Sequence, residues 1–321
     1  MFSPLTETTF RLALLPMAAS LMLLEFGLAR LAHHEESHDL RETAASLGVA
    51  LGHVLLKGVE SALLAVPFLF LYDHRLFEFS SASPLAMLAL FLAADFLYYW
   101  QHRASHVIRW MWATHAVHHS PTRINFTAAV RLGWTGAISG QFLFFLPLAW
   151  FGFHPAAIVA VLSLNLIYQF FLHTELAPRL GPLEWVLNTP AHHRVHHASN
   201  DTCLDRNFGG ILIVFDRMFG TFAEAPRNEP LRYGLRGRSP SLNPLRIAFG
   251  EWAAILHDLG GAASLRAALS IAFGPVTRRP PGRTPGRTPG TAATEPRLQK
   301  PNPVPSGDRQ AEPAQQDGDT A

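Results

Sequence analysis

The stretch PLAMLALFLAADFLYYWQHRASHVIRWMWATHAVHH, Pro84–His119, joins a membrane-like run to a ladder of imidazoles. Its first part, Pro84–Trp100, is apolar except for Asp95, and a run approaching 20 such residues reads as a bilayer-crossing helix. The second part carries His102 and His106 four residues apart, then His115, His118 and His119 as HxxHH. Residues at i, i+3 and i+4 share a helical face, and neutral imidazole is the commonest metal ligand. The predicted object is a helix that leaves the apolar layer bearing several metal donors aimed at one point.

Four further apolar runs flank this one: Phe10–Leu31, Ser46–Tyr72, Gly133–Phe153 and Pro155–Leu172. The first lacks the basic start and small-residue cleavage site of a signal peptide and reads as a retained span. The second carries Lys57 and Glu60, an i, i+3 pair able to neutralise itself on one face. Residues 132–173 are long enough to cross, turn at Gly152–Pro155 and return, which brings His173 back to the side of His102. The expected fold is all-α: a polytopic membrane bundle of about four to five spans with a cytosolic helical cap. Arg30, Arg41, Arg103, Arg109, Arg123 and Arg131 mark the cytoplasmic side, against Arg75 alone on the opposite loop, and a cell inner membrane is the expected location.

The expected domain boundaries are 1–83 for the first spans, 84–240 for the catalytic domain, 241–274 for amphipathic helices and 275–321 for a proline-rich disordered tail. In the amphipathic part, Phe249, Trp252, Ile255, Leu256 and Leu259 can face core or lipid, with core the expected side. The tail, with the repeat GRTPGRTPG, lacks the apolar surface needed to fold. A formal charge of +2 excludes a nucleic-acid partner, and the single Cys203 excludes an internal disulfide.

Histidine supplies 17 of 321 residues. At that frequency an HxxHH arises by chance about 0.05 times per chain, yet it recurs at His193, His196 and His197. An exposed histidine-rich loop is the ordinary alternative, but two copies beside membrane spans favour a metal site. With His102, His106, His115, His118, His119 and His173, the set reaches nine. His192 is either a tenth donor or a neighbour that orients one. A zinc site takes three or four ligands, so the count suits two ions approaching six-coordination. Imidazole alone does not choose among zinc, copper, iron and nickel.

Asp95 lies two helical turns before His102 and can either accept an imidazole N–H or pair with Arg103 or Arg131. Glu175, Asp205, Asn207 and Asp216 are further candidates to support the site, with helix capping or ion pairing as the competing explanation. A rival motif, His34–Glu35–Glu36–Ser37–His38, fits the HExxH pattern of zinc hydrolases, with Glu35 as general base. Its short polar setting supplies no third ligand, and a solvated loop is the expected state. A metal carrier would need polar residues threading the spans, where Asp95, Asn165, Gln169 and the Lys57/Glu60 pair stand.

With these residues in view, the sequence resembles the fatty acid hydroxylase and sterol desaturase superfamily from about Asp95 to Glu224. Asp95–His106 resembles its first histidine box and His115–Ser120 its second, with Asn125 and Arg131 at recurrent polar positions. Gln169–Glu175 resembles the isolated-histidine segment of the branch containing alkylglycerol monooxygenases. Asn188–His197 is similar to the last box, and Leu204–Gly210 and Asp216–Phe222 to the segment after it. Two departures stand out: no acidic residue occurs in Ser120–Ile124, and Cys203 replaces an aromatic. The resemblance implies a helical membrane fold and a cytosol-facing di-iron centre that uses dioxygen to hydroxylate or desaturate a lipid, whether fatty acyl, sterol-like or ether lipid. No GxGxxG or fused cytochrome motif is present, so a separate ferredoxin or cytochrome is the expected electron donor.

Overall fold

The computed structural model describes residues 4–276, with side chains described from residue 16 onward except that of Glu35. From residue 277 the expected tail lies outside the described residues. Twelve α-helices run in order, with no β-strand among the described residues.

Helix α1, Pro4–Leu31, leads through a 3-10 turn at Glu35–Ser37 into α2, Leu40–Asp73. Asp39 starts α2 by accepting the N–H groups of Arg41 and Glu42. Helix α3, Pro84–Val107, is started by Ser83, with Pro84 in the first turn where no N–H is needed. Both α2 and α3 are long and apolar enough to cross a membrane, with mean hydropathies of 1.9 and 1.2 over their best windows. Leu51, Leu55, Leu63 and Phe70 stand exposed along α2, the side-chain distribution a lipid-facing surface requires. The remaining helices are α4, Arg109–His115; α5, Phe126–Ala129; α6, Gly136–Ser139; α7, Leu146–Phe151; α8, Pro155–Phe170; α9, Pro190–His197; α10, Val214–Met218; α11, Pro244–Leu259; and α12, Leu265–Phe273.

The run Gly133–Phe153 differs from the continuous span expected of it. It breaks into α6, a 3-10 segment at Gln141–Phe145, and α7. Gly140 and Gly152 adopt φ of 76° and 124°, which ends a helix, and a Cβ on Gly152 would lie 2.3 Å from the carbonyl oxygen of Phe77. Side chains of α2 satisfy part of the interrupted backbone: the Glu60 carboxylate accepts Ala137 N–H at 2.6 Å, and the His53 Nδ1–H meets Gly133 O at 2.9 Å. Trp134 Nε1 donates to Val49 O at 2.8 Å. Irregular backbone packed inside a protein needs such internal partners.

The Leu76 N–H donates to Trp150 O at 2.9 Å, joining the end of α7 to the loop between α2 and α3. Helix α8 then returns toward the histidines, packing on α3 through Leu90, Ala94, Ile158 and Val161. Helix α11 buries Ile247, Ala248 and Ile255 and leaves Leu256 exposed, while Phe249 lies edge-on to Trp134. Arg109 of α4 locks onto Asp258 at 2.6 Å.

Candidate metal centre

Helix α3 delivers His102 and His106, α4 ends in His115, the following turn carries His118 and His119, α8 is followed by His173, and α9 holds His192, His193, His196 and His197. Nine of these ten converge in two groups, each with donor nitrogens within 4.8 Å of one another. The first contains His102, His106, His115, His119 and His196; the second contains His118, His173, His193 and His197. The groups adjoin, since the rings of His119 and His197 stack at 4.4 Å.

The two HxxHH motifs do not aim at a single point, as their spacing alone suggests. Each divides: positions i and i+4 enter one group and position i+3 the other, with the groups exchanged between motifs. At about 100° per residue, i+3 and i+4 diverge by about 100° around a helix and so can straddle two neighbouring ions. His192 belongs to neither group; its ring meets Phe222 edge-on at 5.3 Å.

Backbone carbonyls determine which nitrogen carries the proton. His102 Nδ1 lies 2.8 Å from Phe208 O, His173 Nδ1 2.8 Å from Gln169 O, and His196 Nδ1 2.8 Å from Arg206 O. A carbonyl only accepts, so these rings donate from Nδ1 and their Nε2 atoms present lone pairs when neutral. Burial pushes His118 and His196 down to about 3, and holds His115, His119, His193 and His197 well below the usual imidazole range. Burial also takes His192 down to about 4.

Nevertheless the Nε2 atoms crowd together. His102 and His115 are 2.9 Å apart, His106 and His119 3.1 Å, His173 and His193 3.0 Å, and His173 and His118 3.2 Å. The Nε2 of His173 has no proton to offer either neighbour, and the buried Nε2 of His196 has no hydrogen-bond partner. A cation in each group would draw these Nε2 atoms into coordination. Donors about 2.1 Å from one ion lie about 3.0 Å apart at a right angle and about 3.4 Å apart at the tetrahedral angle. The four spacings fall within or close to this range, and five donors in one group exceed a tetrahedral zinc site.

Around the histidines, Asp95 takes neither expected partner. Its carboxylate accepts Ile211 N–H at 3.0 Å, Leu212 N–H at 2.9 Å and Asn165 Nδ2–H at 2.7 Å, so it anchors the loop beyond Phe208. Arg103 instead donates to Tyr99 OH, and Arg131 reaches Ser46, Ser120 and Glu42. Asp216 accepts the N–H groups of Phe208 and Gly209, each at 2.7 Å, and thereby holds the carbonyl that orients His102. Asp205 places a carboxylate oxygen 3.3 Å from His106 Nδ1. Asn207, at φ 57°, donates to His192 O and Ala223 O. Asn125 caps α5 and donates to Ser37 O, while Glu175 meets the Tyr233 hydroxyl. Of the seven polar candidates, Asp205 brings its side chain to a clustered ring and Arg131 its backbone, to His106 and His118 respectively; Asp95 and Asp216 act through the loop.

Tyr98 and Gln169 were not anticipated as part of the site. Tyr98 OH donates to Gln169 Oε1 at 2.8 Å, and Gln169 Nε2 continues to Asn165. The polar residues interrupting the apolar α8 were the available signal. The rival His34–His38 segment holds a 3-10 helix at Glu35–Ser37 with both histidines flanking it, instead of the α-helix that HExxH requires, and neither histidine joins a group of three donors among the described residues. The Glu35 side chain lies outside the described residues.

A cavity of about 600 Å³ opens beside His115, His118, His173 and Tyr98 and extends between α2 and α8 past Phe145, Ile158 and Leu162. Its size falls in the range of small-molecule sites, about 300–1,000 Å³. Fold and site together define a helical protein built on two adjoining histidine clusters suited to metal ions and served by an apolar cavity. The family model for fatty acid hydroxylase matches residues 87–221, and the chain carries a domain of that family, on its alkylglycerol monooxygenase-like branch. It is 39% identical over 237 residues to an alkylglycerol monooxygenase of Xenopus tropicalis and 38% over 236 residues to that of Homo sapiens, in each case across 73% of this chain. Those alignments cover 51% and 52% of the relatives, so the chain spans about half the length of the curated relatives it matches. The ornithine lipid hydroxylase OlsE of Rhizobium tropici is 28% identical over 145 residues, 45% of this chain and 44% of that protein. No solved structure matches.

Proposed function

We propose that the chain is an integral-membrane di-iron oxidoreductase that uses dioxygen and external electrons to oxidise a C–H bond of a lipid, of the alkylglycerol ether class. The observation that carries this reading is the convergence of nine imidazoles into two adjoining groups beside an apolar cavity, in a chain with a fatty acid hydroxylase domain. His102, His106, His115, His119 and His196 would hold one ion, and His118, His173, His193 and His197 the other. When bound, the two ions supply the reduction of dioxygen and the oxidising power that breaks the lipid C–H bond.

The chain's own contribution is position and exclusion of water. Phe208 O, Gln169 O and Arg206 O keep the protons of His102, His173 and His196 on Nδ1, leaving Nε2 for the metal. The apolar wall of Phe145, Ile158 and Leu162 holds a hydrocarbon beside the metal-facing rings. Helices α2 and α3 span the bilayer in this reading, with α1 and the segment from α6 through α8 completing the membrane body. In the same reading the histidine clusters lie on the cytoplasmic face of the inner membrane, which the distribution of arginines supports, and a separate ferredoxin or cytochrome would deliver electrons there.

The test is metal analysis and turnover of the purified full chain. Two irons per chain, and consumption of hexadecyl glycerol that depends on dioxygen and reductant, are expected. His193→Ala and His196→Ala should each abolish turnover and disturb different ions. Retained turnover in either variant, or lipid conversion without oxygen, would overturn the assignment.

A further inference from the structure

One face of α2 carries a pattern that the metal chemistry leaves unused. The residues of this helix that line the cavity begin with His53, Lys57, Glu60 and Ser61 and continue with Leu64, Ala65, Phe68 and Leu69. Their spacing of three and four residues makes one continuous stripe. The stripe changes character once: its first block is polar over about 12 Å, at about 1.5 Å per residue, and its second is apolar. A cavity meant only for hydrocarbon gains nothing from a charged pair inside a membrane-length helix, where ionisable groups are costly.

The polar block is also fixed in place. Glu60 Oε1 accepts Ala137 N–H at 2.6 Å, and its Oε2 accepts from Lys57 Nζ at 3.2 Å. Capping α6 explains Glu60, but it does not explain why Lys57, His53 and Ser61 join it on the cavity wall. Lys57 spends one of its three N–H bonds on Glu60. His53 donates Nδ1–H to Gly133 O, which leaves its Nε2 as an acceptor. The block lies close to the histidine clusters, because Gly133 packs directly against Thr114, the residue before His115.

We infer that this polar block is the headgroup subsite of the lipid substrate and that it selects an uncharged, hydroxylated headgroup; the inference rests on the lipid-oxidising reading above. Lys57 and Glu60 cancel in charge, so the block exerts no net pull on a phosphate or an ammonium. It offers donors and acceptors side by side, the combination that a hydroxyl, itself donor and acceptor, satisfies. The apolar block then takes the alkyl chain along the same helix face. Lys57 and Ser61 are specificity-determining residues in this account, and Glu60 positions Lys57.

The test uses the full-chain, metal-loaded protein in phosphatidylcholine nanodiscs, without oxygen or reductant, so that binding is read apart from turnover. Three probes share one alkyl chain: hexadecyl glycerol, hexadecyl phosphate and hexadecyl methyl ether. The wild-type protein should bind the glycerol ether about tenfold more tightly than either other probe. Lys57→Met and Ser61→Leu should each erase that preference while leaving the methyl ether affinity unchanged, and Lys57→Arg should retain it. Under turnover, Lys57→Met should raise KM for the glycerol ether about tenfold and change kcat less than twofold. Equal binding of all probes, a preference for the phosphate, or unaltered selectivity in Lys57→Met would overturn the subsite. Selective binding without any oxidation would count against the oxidase and leave the subsite standing.

Discussion

Asp216→Asn is a demanding test of how the first histidine group is held. Asp216 is fully buried and accepts three hydrogen bonds, from Phe208 N, Gly209 N and Thr221 Oγ1, all at 2.7 Å. Phe208 returns its carbonyl to His102 Nδ1 at 2.8 Å. The amide of Asn keeps the shape but replaces one acceptor oxygen by a donor, which then opposes a backbone N–H. Leaving that buried N–H unpaired costs about 1–3 kcal/mol, and the loop relieves it by moving Phe208. Loss of a partner that orients a metal-bound histidine weakens metal affinity about 10–100-fold, equivalent to about 1.4–2.7 kcal/mol. The effect should fall on the group containing His102 and spare the group of His118, His173, His193 and His197. Competitive chelation followed by iron counting should therefore remove one ion at a chelator strength that leaves both in the wild type. Release of both ions together, or wild-type retention of both, would refute the proposed chain from Asp216 through Phe208 to His102.

Two further outcomes follow from the same structure. In the metal-free protein, His118 and His196 titrate near 3 when folded against about 6.5 when unfolded, so the unfolded chain binds more protons below about 6.5. Their contribution is complete above about pH 6.5 and falls by about 1.4 kcal/mol per pH unit for each group as the pH drops toward 3. Thermal denaturation should thus show about 4 kcal/mol lost by about pH 5 from these two groups; a pH-independent midpoint between 5 and 7 would contradict their burial as neutral rings. Gly152→Ala should be destabilising by about 1–3 kcal/mol from its φ of 124° alone, with more from the approach to Phe77 O, whereas Gly27→Ala, with no atom near its Cβ, should be neutral or better. Equal denaturation midpoints for these two variants would show that the break at Gly152 is not enforced.

The amino-acid order by itself determined the local objects. Apolar runs of membrane length at α2 and α3, the i, i+4 pair His102/His106 and the two HxxHH motifs all follow from periods that depend on one helix at a time. The polar-to-apolar stripe of α2 is equally local, although only the cavity gives it meaning. Hydropathy could not reveal that Gly133–Phe153 breaks, because the break depends on positive φ at Gly140 and Gly152 and on partners supplied by α2.

Tertiary structure alone decided the division of nine histidines into five and four. Spacing sets the angle between side chains on one helix, but whether i+3 and i+4 meet one ion or two depends on what the neighbouring helices bring to that gap. His192 illustrates the limit: its position makes it a plausible donor, and its contact with Phe222 takes it out of both groups. The tautomers of His102, His173 and His196 were likewise beyond the sequence, since they are set by backbone carbonyls, which every residue possesses and no side-chain pattern marks. Asp95 shows the same physics in reverse: a carboxylate two turns from a histidine on the same helix satisfies the loop that passes it, because the backbone N–H groups of Ile211 and Leu212 need an acceptor there.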